Sequence, residues 1–230
     1  MNVAIIPARG GSKRIPRKNI KAFCGKPMLA YPITAALNSG VVDKVVVSTD
    51  DPEIANIAQQ WGAEVPFMRP AALADDHTGT SPVIRHALAE LLQLGWKIDY
   101  CACLYATTPL LSSDTIRQLF AKLKEQAVDY VFAGAQFSFP IQRALLKTAS
   151  GGLTPFDPVA INMRSQDLPA TFHDAGQLYW AKTTTWLDPL KKIFGEHSRI
   201  HILPQHLVQD IDTPEDWQRA EVLYRLLQET

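Results

Sequence analysis

Short, continuous apolar runs alternate along the chain with segments whose apolar positions recur at helical spacing. Residues 2–7 (NVAIIP), 44–49 (KVVVST), 100–105 (YCACLY) and 129–133 (DYVFA) are apolar almost without a break. A half-solvated strand alternates apolar with polar positions, whereas a strand covered on both faces has no such constraint. These segments therefore predict the strands of a mainly parallel central sheet. Further strands are predicted at 177–181 (QLYWA) and 199–204 (RIHILP).

The intervening helices have legible ends. Ser81-Pro82 reads as an N-cap with a first-turn proline, followed by Ile84, Leu88 and Leu91 on one face and Gly95 as a stop. Residues 52–61 align Ile54, Ile57, Ala58 and Trp61 and close at Gly62, and residues 114–126 align Ile116, Leu119, Phe120 and Leu123. Thr213-Pro214 opens a last helix through Trp217, Leu223 and Leu227. Strand–helix alternation predicts right-handed βαβ crossovers and a three-layer α/β/α, Rossmann-like domain spanning residues 1–230. The rhythm breaks at about 136–174, where Pro140, Gly151-Gly152, Pro155, Pro158 and Pro169 interrupt the pattern. That stretch is expected to leave the sheet as a small inserted lobe.

Composition narrows the class. A chain of 230 residues that is 47% hydrophobic can bury a large core, which excludes disorder and a disulfide-stapled miniprotein. No apolar run approaches the ~20 residues of a membrane span, and the first residues read as a strand instead of a secretory signal. Cys24, Cys101 and Cys103 cannot form a complete disulfide set, and no partners for zinc lie at suitable spacing. Cys101 and Cys103, two apart in a strand, are expected on one buried face. A cytoplasmic, reducing location is expected. The 23 basic and 23 acidic residues cancel, which argues against a nucleic-acid or membrane partner. The charges are nevertheless segregated. Residues 1–42 contain no Asp or Glu but hold Arg9, Lys13, Arg14, Arg17, Lys18, Lys21 and Lys26, while Asp210, Asp212, Glu215 and Asp216 cluster near the C-terminus.

Ligands of open parallel sheets bind beyond the carboxyl ends of the strands. After the first strand comes Ala8-Arg9-Gly10-Gly11-Ser12-Lys13-Arg14, continuing to Lys18-Asn19. Glycines let backbone approach an anion, and Arg and Lys supply charge, a combination suited to a nucleoside triphosphate. It is neither a P-loop, since Gly25-Lys26 is followed by Pro27, nor a dinucleotide fingerprint, since G-x-G-x-x-G is absent. A solvated basic arm, or the basic stripe of a nucleic-acid-binding domain, is the alternative use of the same residues. Asp210-Ile211-Asp212 follows the last strand, and in extended chain its two carboxylates share a side. They suit a magnesium ion that also takes phosphate oxygens and water. Equally, Asp212 or Thr213 could cap the final helix. Asp50, ending the second strand, is a candidate contact, and Asp51 before Pro52 reads as a cap.

Residues 6–19, Ile6-Pro7-Ala8-Arg9-Gly10-Gly11-Ser12-Lys13-Arg14-Ile15-Pro16-Arg17-Lys18-Asn19, strongly resemble the N-terminal signature of the acylneuraminate cytidylyltransferase (CMP-sialic acid synthetase) family. Val47-Ser48-Thr49-Asp50, Arg69-Pro70, Thr107-Thr108-Pro109-Leu110 and Asp210-Ile211-Asp212-Thr213 agree in order, so the resemblance covers essentially the whole chain. Ala74-Asp75-Asp76-His77-Thr78-Gly79-Thr80, Tyr105-Ala106-Thr107-Thr108-Pro109 and the block from Phe172 to Trp180 look like the branch acting on pseudaminic acid. Sialic acid enzymes show Gln-Pro-Thr-Ser-Pro in the second block and Asn-Gly where Ala175-Gly176 stands.

The resemblance implies a nucleotide-diphospho-sugar transferase fold. It also implies transfer of CMP from CTP to an acidic nine-carbon sugar, with Mg2+ on Asp210 and Asp212. Ala8, Arg9, Gly10, Gly11, Ser12 and Lys18 would form the triphosphate loop, and Arg69, Asp76, Thr78 and Thr80 would serve the cytidine. Tyr105, Arg164, Gln166, Asp174, Gln177 and Tyr179 would hold the sugar, with the lobe at 136–174 building a homodimer. Arg9, Lys18, Asp210 and Asp212 would carry the catalysis, and no general base is assigned. Sialic or legionaminic acid is the alternative acceptor.

Overall fold

The computed structural model describes residues 1–229. The chain opens with β1 (Asn2–Pro7), a short hairpin of β2 (Ala22–Phe23) and β3 (Lys26–Pro27), and α1 (Ala30–Leu37). It continues through β4 (Lys44–Ser48), α2 (Pro52–Gln60), α3 (Thr80–Gln93), β5 (Tyr100–Leu104), α4 (Ser113–Glu125) and β6 (Tyr130–Gln136). The stretch after β6 holds a small hairpin, β7 (Leu145–Lys147) with β8 (Leu153–Pro155), and isolated 3-10 turns. Then come β9 (Phe172–Lys182), α5 (Thr183–Leu187), β10 (Ser198–Ile202) and α6 (Pro214–Gln228).

The main sheet has the order β10-β6-β9-β5-β1-β4. β1, β4, β5 and β6 obey the expected two-sided burial, whereas the edge strand β10 has no fully buried residue. Ala4 and Ile6 of β1 face α1, α2 and α4 through Ile33, Ile54 and Leu119, whereas Val3 and Ile5 face α3 and α5 through Leu88 and Trp186. Cys101 and Cys103 lie on this second face, fully buried, and burial pushes both thiols well above their ordinary range.

Parallel alternation fails at one strand. β9 is antiparallel to both β5 and β6, because Gln136 pairs with Phe172 and the intervening excursion simply closes a long hairpin. A hairpin returns antiparallel; only a crossover returns parallel. The register of this hairpin slips: Gly134 faces Asp174 but Phe132 faces Tyr179, leaving residues 175–178 opposite Ala133 alone. Gly176, at φ +61°, accommodates the left-handed backbone within this bulge.

Helix ends also refine the sequence reading. α3 starts at Thr80 with Gly79 as N-cap, not at Ser81. Pro82 then lies third in the helix, where its missing N–H is one of the unpaired first-turn donors anyway. The Asp51 side chain caps α2, accepting from the amides of Glu53 (2.9 Å) and Ile54 (3.1 Å), and it also pairs with Arg17. Arg17 foremost, with those amides, holds the Asp51 carboxyl at about 2 against the opposing effect of burial. A depressed carboxylate stabilises the fold above its unfolded value of 3.8, and the contribution is lost as pH falls from there towards about 2. After allowance for solvent screening it amounts to about 1–2 kcal/mol. Asp51→Asn should therefore lower stability to urea at pH 7, and the gap from the parent should close near pH 2.

A third cluster lies at one end of the sheet. Ile15, Phe23, Met28 and Tyr31 pack with Ile211, Trp217 and Ala220, all buried. It joins the basic loop after β1 to the segment entering α6.

Candidate active site

β1, β4 and β5 are parallel, so their C-terminal ends open on the same side. Segments leaving that side surround a cleft of about 590 Å³. The loop after β1 contributes Arg9, Ser12, Lys13, Arg14, Lys18 and Asn19. Arg69, Asp76, Thr78 and Thr80 form a second wall, and Tyr105 to Thr107, after β5, a third. Asp212 enters from the segment before α6.

The loop is shaped by its own contacts. Asn19, buried and given no role by the sequence, donates through Nδ2 to the Arg9 carbonyl at 2.9 Å. Arg17, in a left-handed conformation at φ 55°, turns away from the cleft to bind Asp51 and Glu53. Ala8 donates to the Ser48 carbonyl, and the Gly10 amide donates to Asp50 Oδ1 at 3.1 Å. The two glycines thus differ. A Cβ on Gly10 would meet Asp51 Oδ2 at 2.6 Å, whereas one on Gly11 would meet nothing within 4 Å. Gly10→Ala should destabilise the protein by about 1–3 kcal/mol, and Gly11→Ala should leave thermal unfolding unchanged. Equal melting shifts would contradict this packing. Neither glycine, nor Ala8, is on the cleft wall.

The cations are not free. Arg9 Nη1 donates to the Asp75 carbonyl and to Asp76 Oδ1, both at 2.7 Å, and Lys13 also pairs with Asp76. Arg14 binds Asp212 Oδ2 at 2.8 Å, while Lys18 Nζ donates to the Ile211 carbonyl at 2.6 Å and meets Asp212 Oδ1 at 3.3 Å. Lys13 and Arg14 were visible as charges, but their partners were not. Arg69 is the exception. It is 6% exposed, its Nε and Nη2 have no hydrogen-bond partner, and the nearest carboxylate, Asp50, is 3.9 Å from Nη2. Burial lowers its pKa, opposed by Asp50. Buried N–H donors left unpaired in a cleft wall call for an acceptor of matching geometry, such as a phosphate or carbonyl oxygen.

The two readings of Asp212 separate here. Thr213 caps α6 in a capping box with Asp216, so the Asp212 carboxylate is left to face the cleft. Ile211 is fully buried, as the alternation requires. Asp210 stays exposed as a residue and outside the cleft wall. Partial burial of its carboxyl, and then the charge of Asp212, raise its pKa. Two hard oxygen donors that repel one another fit a divalent cation, which would relieve the repulsion. Among the described residues no group of three or more His, Cys, Asp or Glu side chains gathers around a metal. Such an ion would complete its coordination with water and ligand oxygens.

The expected sugar residues divide. Tyr105 lines the cleft, and its hydroxyl lies 2.7 Å from Thr80 Oγ1. Tyr179 and Gln177 are each 2% exposed and, like Asp174, are not on the wall. Arg164 and Gln166 belong to the exposed excursion, where Arg164 pairs with Asp167 at 2.7 Å, and neither reaches the cleft.

A family model described as Cytidylyltransferase matches residues 3–227. The chain is 43% identical over 229 residues to the pseudaminic acid cytidylyltransferase of Campylobacter jejuni, with 100% of this chain and 98% of that one covered. It is 33% identical over 234 residues to the CMP-N,N'-diacetyllegionaminic acid synthase of Legionella pneumophila, with 99% and 97% covered. A CMP:2-keto-3-deoxy-manno-octonic acid synthetase, solved complexed with CTP, matches 100% of this chain and 99% of its own with a TM-score of 0.72. At 18% identity that match speaks for the fold.

Proposed function

The chain belongs to the cytidylyltransferase family, and on that premise we propose that it transfers CMP from CTP to the anomeric 2-hydroxyl of pseudaminic acid, releasing pyrophosphate. The observation that carries the reading is the set of cations, Arg9, Lys13, Arg14, Lys18 and Arg69, facing one cleft. A triphosphate brings roughly four negative charges and satisfies such a set. The choice of sugar is supported by the 43% identical relative, 98% of whose sequence is matched.

Phosphoryl transfer depends on alignment and charge neutralisation more than on covalent help. Arg9 and Lys18, with Ser12 beside them, are assigned to the phosphates, where they stabilise charge moving onto pyrophosphate. Arg69 offers its unpaired donors to the nucleotide, next to Thr78 and Thr80. Enzymes of this kind are in general metal-dependent. We assign Asp210 and Asp212 to hold the ion and Mg2+ as its identity, supported by their oxygen-only donor set. When bound, that ion supplies charge neutralisation at the phosphates and lowers the pKa of an attached oxygen. Lys18 and Arg14 orient Asp212 for this role.

Tyr105 is placed against the sugar, with Gln177, Tyr179 and Asp174 behind it. A homodimer through the excursion is part of the reading. Leu153 and Val159 there are 66% and 77% exposed, more apolar surface than an isolated hairpin holds comfortably in water. Arg164 and Gln166 lie on the same excursion and are assigned to the sugar site across such an interface. A cytoplasmic location is supported by three free cysteines. No helix among the described residues is long and apolar enough to cross a membrane.

The test is pyrophosphate release from CTP with pseudaminic, legionaminic and sialic acids supplied in parallel. Efficient use of pseudaminic acid is expected. The reading fails if sialic acid is used efficiently and pseudaminic acid is not.

A further inference from the structure

The reaction just proposed, on which this inference rests, sheds a proton from the attacking hydroxyl. Of the three carboxylates on the cleft wall, Asp75 accepts from the amides of His77 and Thr78, Asp76 pairs with Arg9 and Lys13, and Asp212 pairs with Arg14 and Lys18. Among the described residues, the buried carboxylate oxygen without any partner is Asp174 Oδ1. Buried acceptors are almost always paired, so an orphan requires an explanation.

The bulge in β9 supplies the geometry. Without the register slip, residues 174 and 179, an odd number of positions apart, would point to opposite faces of the sheet. Because the register against β6 shifts across residues 175–178, while Leu178 stays paired with Leu104 of β5, the Tyr179 hydroxyl donates to Asp174 Oδ2 at 2.5 Å. The Tyr179 ring lies 5.5 Å from that of Tyr105, centroid to centroid, the two planes tilted by 48°. Tyr105 in turn shares a 2.7 Å hydrogen bond with Thr80, and both residues line the cleft.

We propose that Asp174 is the terminal proton acceptor of a hydroxyl chain, Thr80–Tyr105–Tyr179, leading from the cleft into the bulge of β9. The sugar hydroxyl gives its proton to the Tyr105 oxygen, directly or through Thr80, as its electron pair forms the bond to the α-phosphorus. Tyr105 passes its own proton to Tyr179, and Tyr179 passes its proton to Asp174. The bond from the α-phosphorus to pyrophosphate breaks, and pyrophosphate leaves with that electron pair. Asp174 ends protonated and returns the proton to solvent with product release. Burial foremost, then Tyr105 and Asp174, keeps Tyr179 protonated far above the ordinary range, so it transmits a proton without accumulating as a tyrosinate. The titratable groups facing Asp174 are Tyr179 and Tyr105, Cys103 from β5, and His173 beside it, whose Nδ1 lies 2.9 Å from the Asp174 carbonyl. Gly134, its partner on β6, carries no charge.

Asp174 is thus a positioning residue that acts through two tyrosines. The test measures single-turnover rates, so that product release cannot mask chemistry, for the parent, Asp174→Asn and Tyr179→Phe with CTP, Mg2+ and pseudaminic acid. Both variants should lose about 10²-fold in rate, keep KM for both substrates within about twofold, and lose the acid limb of the pH–rate profile. Tyr179→Phe keeps the ring and guards against a folding artefact in the other variant. A raised sugar KM with the rate retained would overturn the relay and make Asp174 a sugar contact. Parent-like rates, or a reduced rate with the pH profile intact, would also overturn it. A parent that turns over while the variants are unaffected counts against the relay alone; an inactive parent overturns the reaction and the relay together.

Discussion

Asp212→Ala is expected to lose metal-dependent turnover by about 10³-fold or more with its fold intact. The expectation comes from what the carboxylate does and does not support. It caps no helix, because Thr213 and Asp216 close the first turn of α6 by themselves. The buried residue at this place is Ile211, which the substitution leaves untouched. Removing the carboxylate strips the assigned metal of one of two protein ligands. It also releases Arg14 and Lys18, which Asp212 holds at 2.8 and 3.3 Å. The measurement is pyrophosphate release against Mg2+ concentration, with thermal unfolding as the control. Turnover near the parent rate would remove Asp212 from the metal site.

Arg69→Met should separate stability from function. The guanidinium is buried, two of its nitrogens have no partner, and Asp50 stands 3.9 Å away. Desolvating a charge without full compensation is costly, and apolar replacements of similar volume are often neutral or stabilising by about 1–4 kcal/mol. The Asp50 carboxylate keeps the Gly10 amide as a partner, so it is not stranded. The ligand-free variant should therefore melt no lower than the parent, and up to several degrees higher. Its affinity for CTP should fall by about 10²-fold, the loss expected when charge-assisted hydrogen bonds to a ligand disappear. Calorimetric titration with CTP and a thermal melt on the same sample decide it. Lower stability together with unchanged CTP affinity would make Arg69 a structural residue.

Much of the fold could be read from local pattern. Continuous apolar runs marked β1, β4, β5 and β6 because strands buried on both faces leave no polar alternation. Asp51-Pro52 and Thr213-Pro214 marked helix starts because a cap and a first-turn proline act within a single turn. The antiparallel return of β9 was not legible, since apolar strands in parallel and antiparallel positions look alike. Among the candidate site residues, Arg9, Ser12, Lys18, Arg69, Asp76, Thr78, Thr80, Tyr105 and Asp212 meet in one cleft. Gly10 is expected in the triphosphate loop, and packing adds a second reason for it, since a Cβ there would meet Asp51. No sequence signal could have shown that, because the constraint comes from a residue on another element.

The sequence by itself determined the segregation of charge, the buried strands β1, β4, β5 and β6, the starts of α2 and α6, and the motifs that place the chain among the cytidylyltransferases. Each of these depends on neighbours a few positions apart. Tertiary structure alone decided which charges oppose each other. Lys18 reaches the Ile211 carbonyl and Asp212 across 193 and 194 positions because Ile15 and Ile211 are buried in the same cluster. It likewise decided that a register slip sets Asp174 against Tyr179 and leaves one carboxylate oxygen without a partner. Such juxtapositions follow from the packing of distant surfaces, which local propensity does not encode.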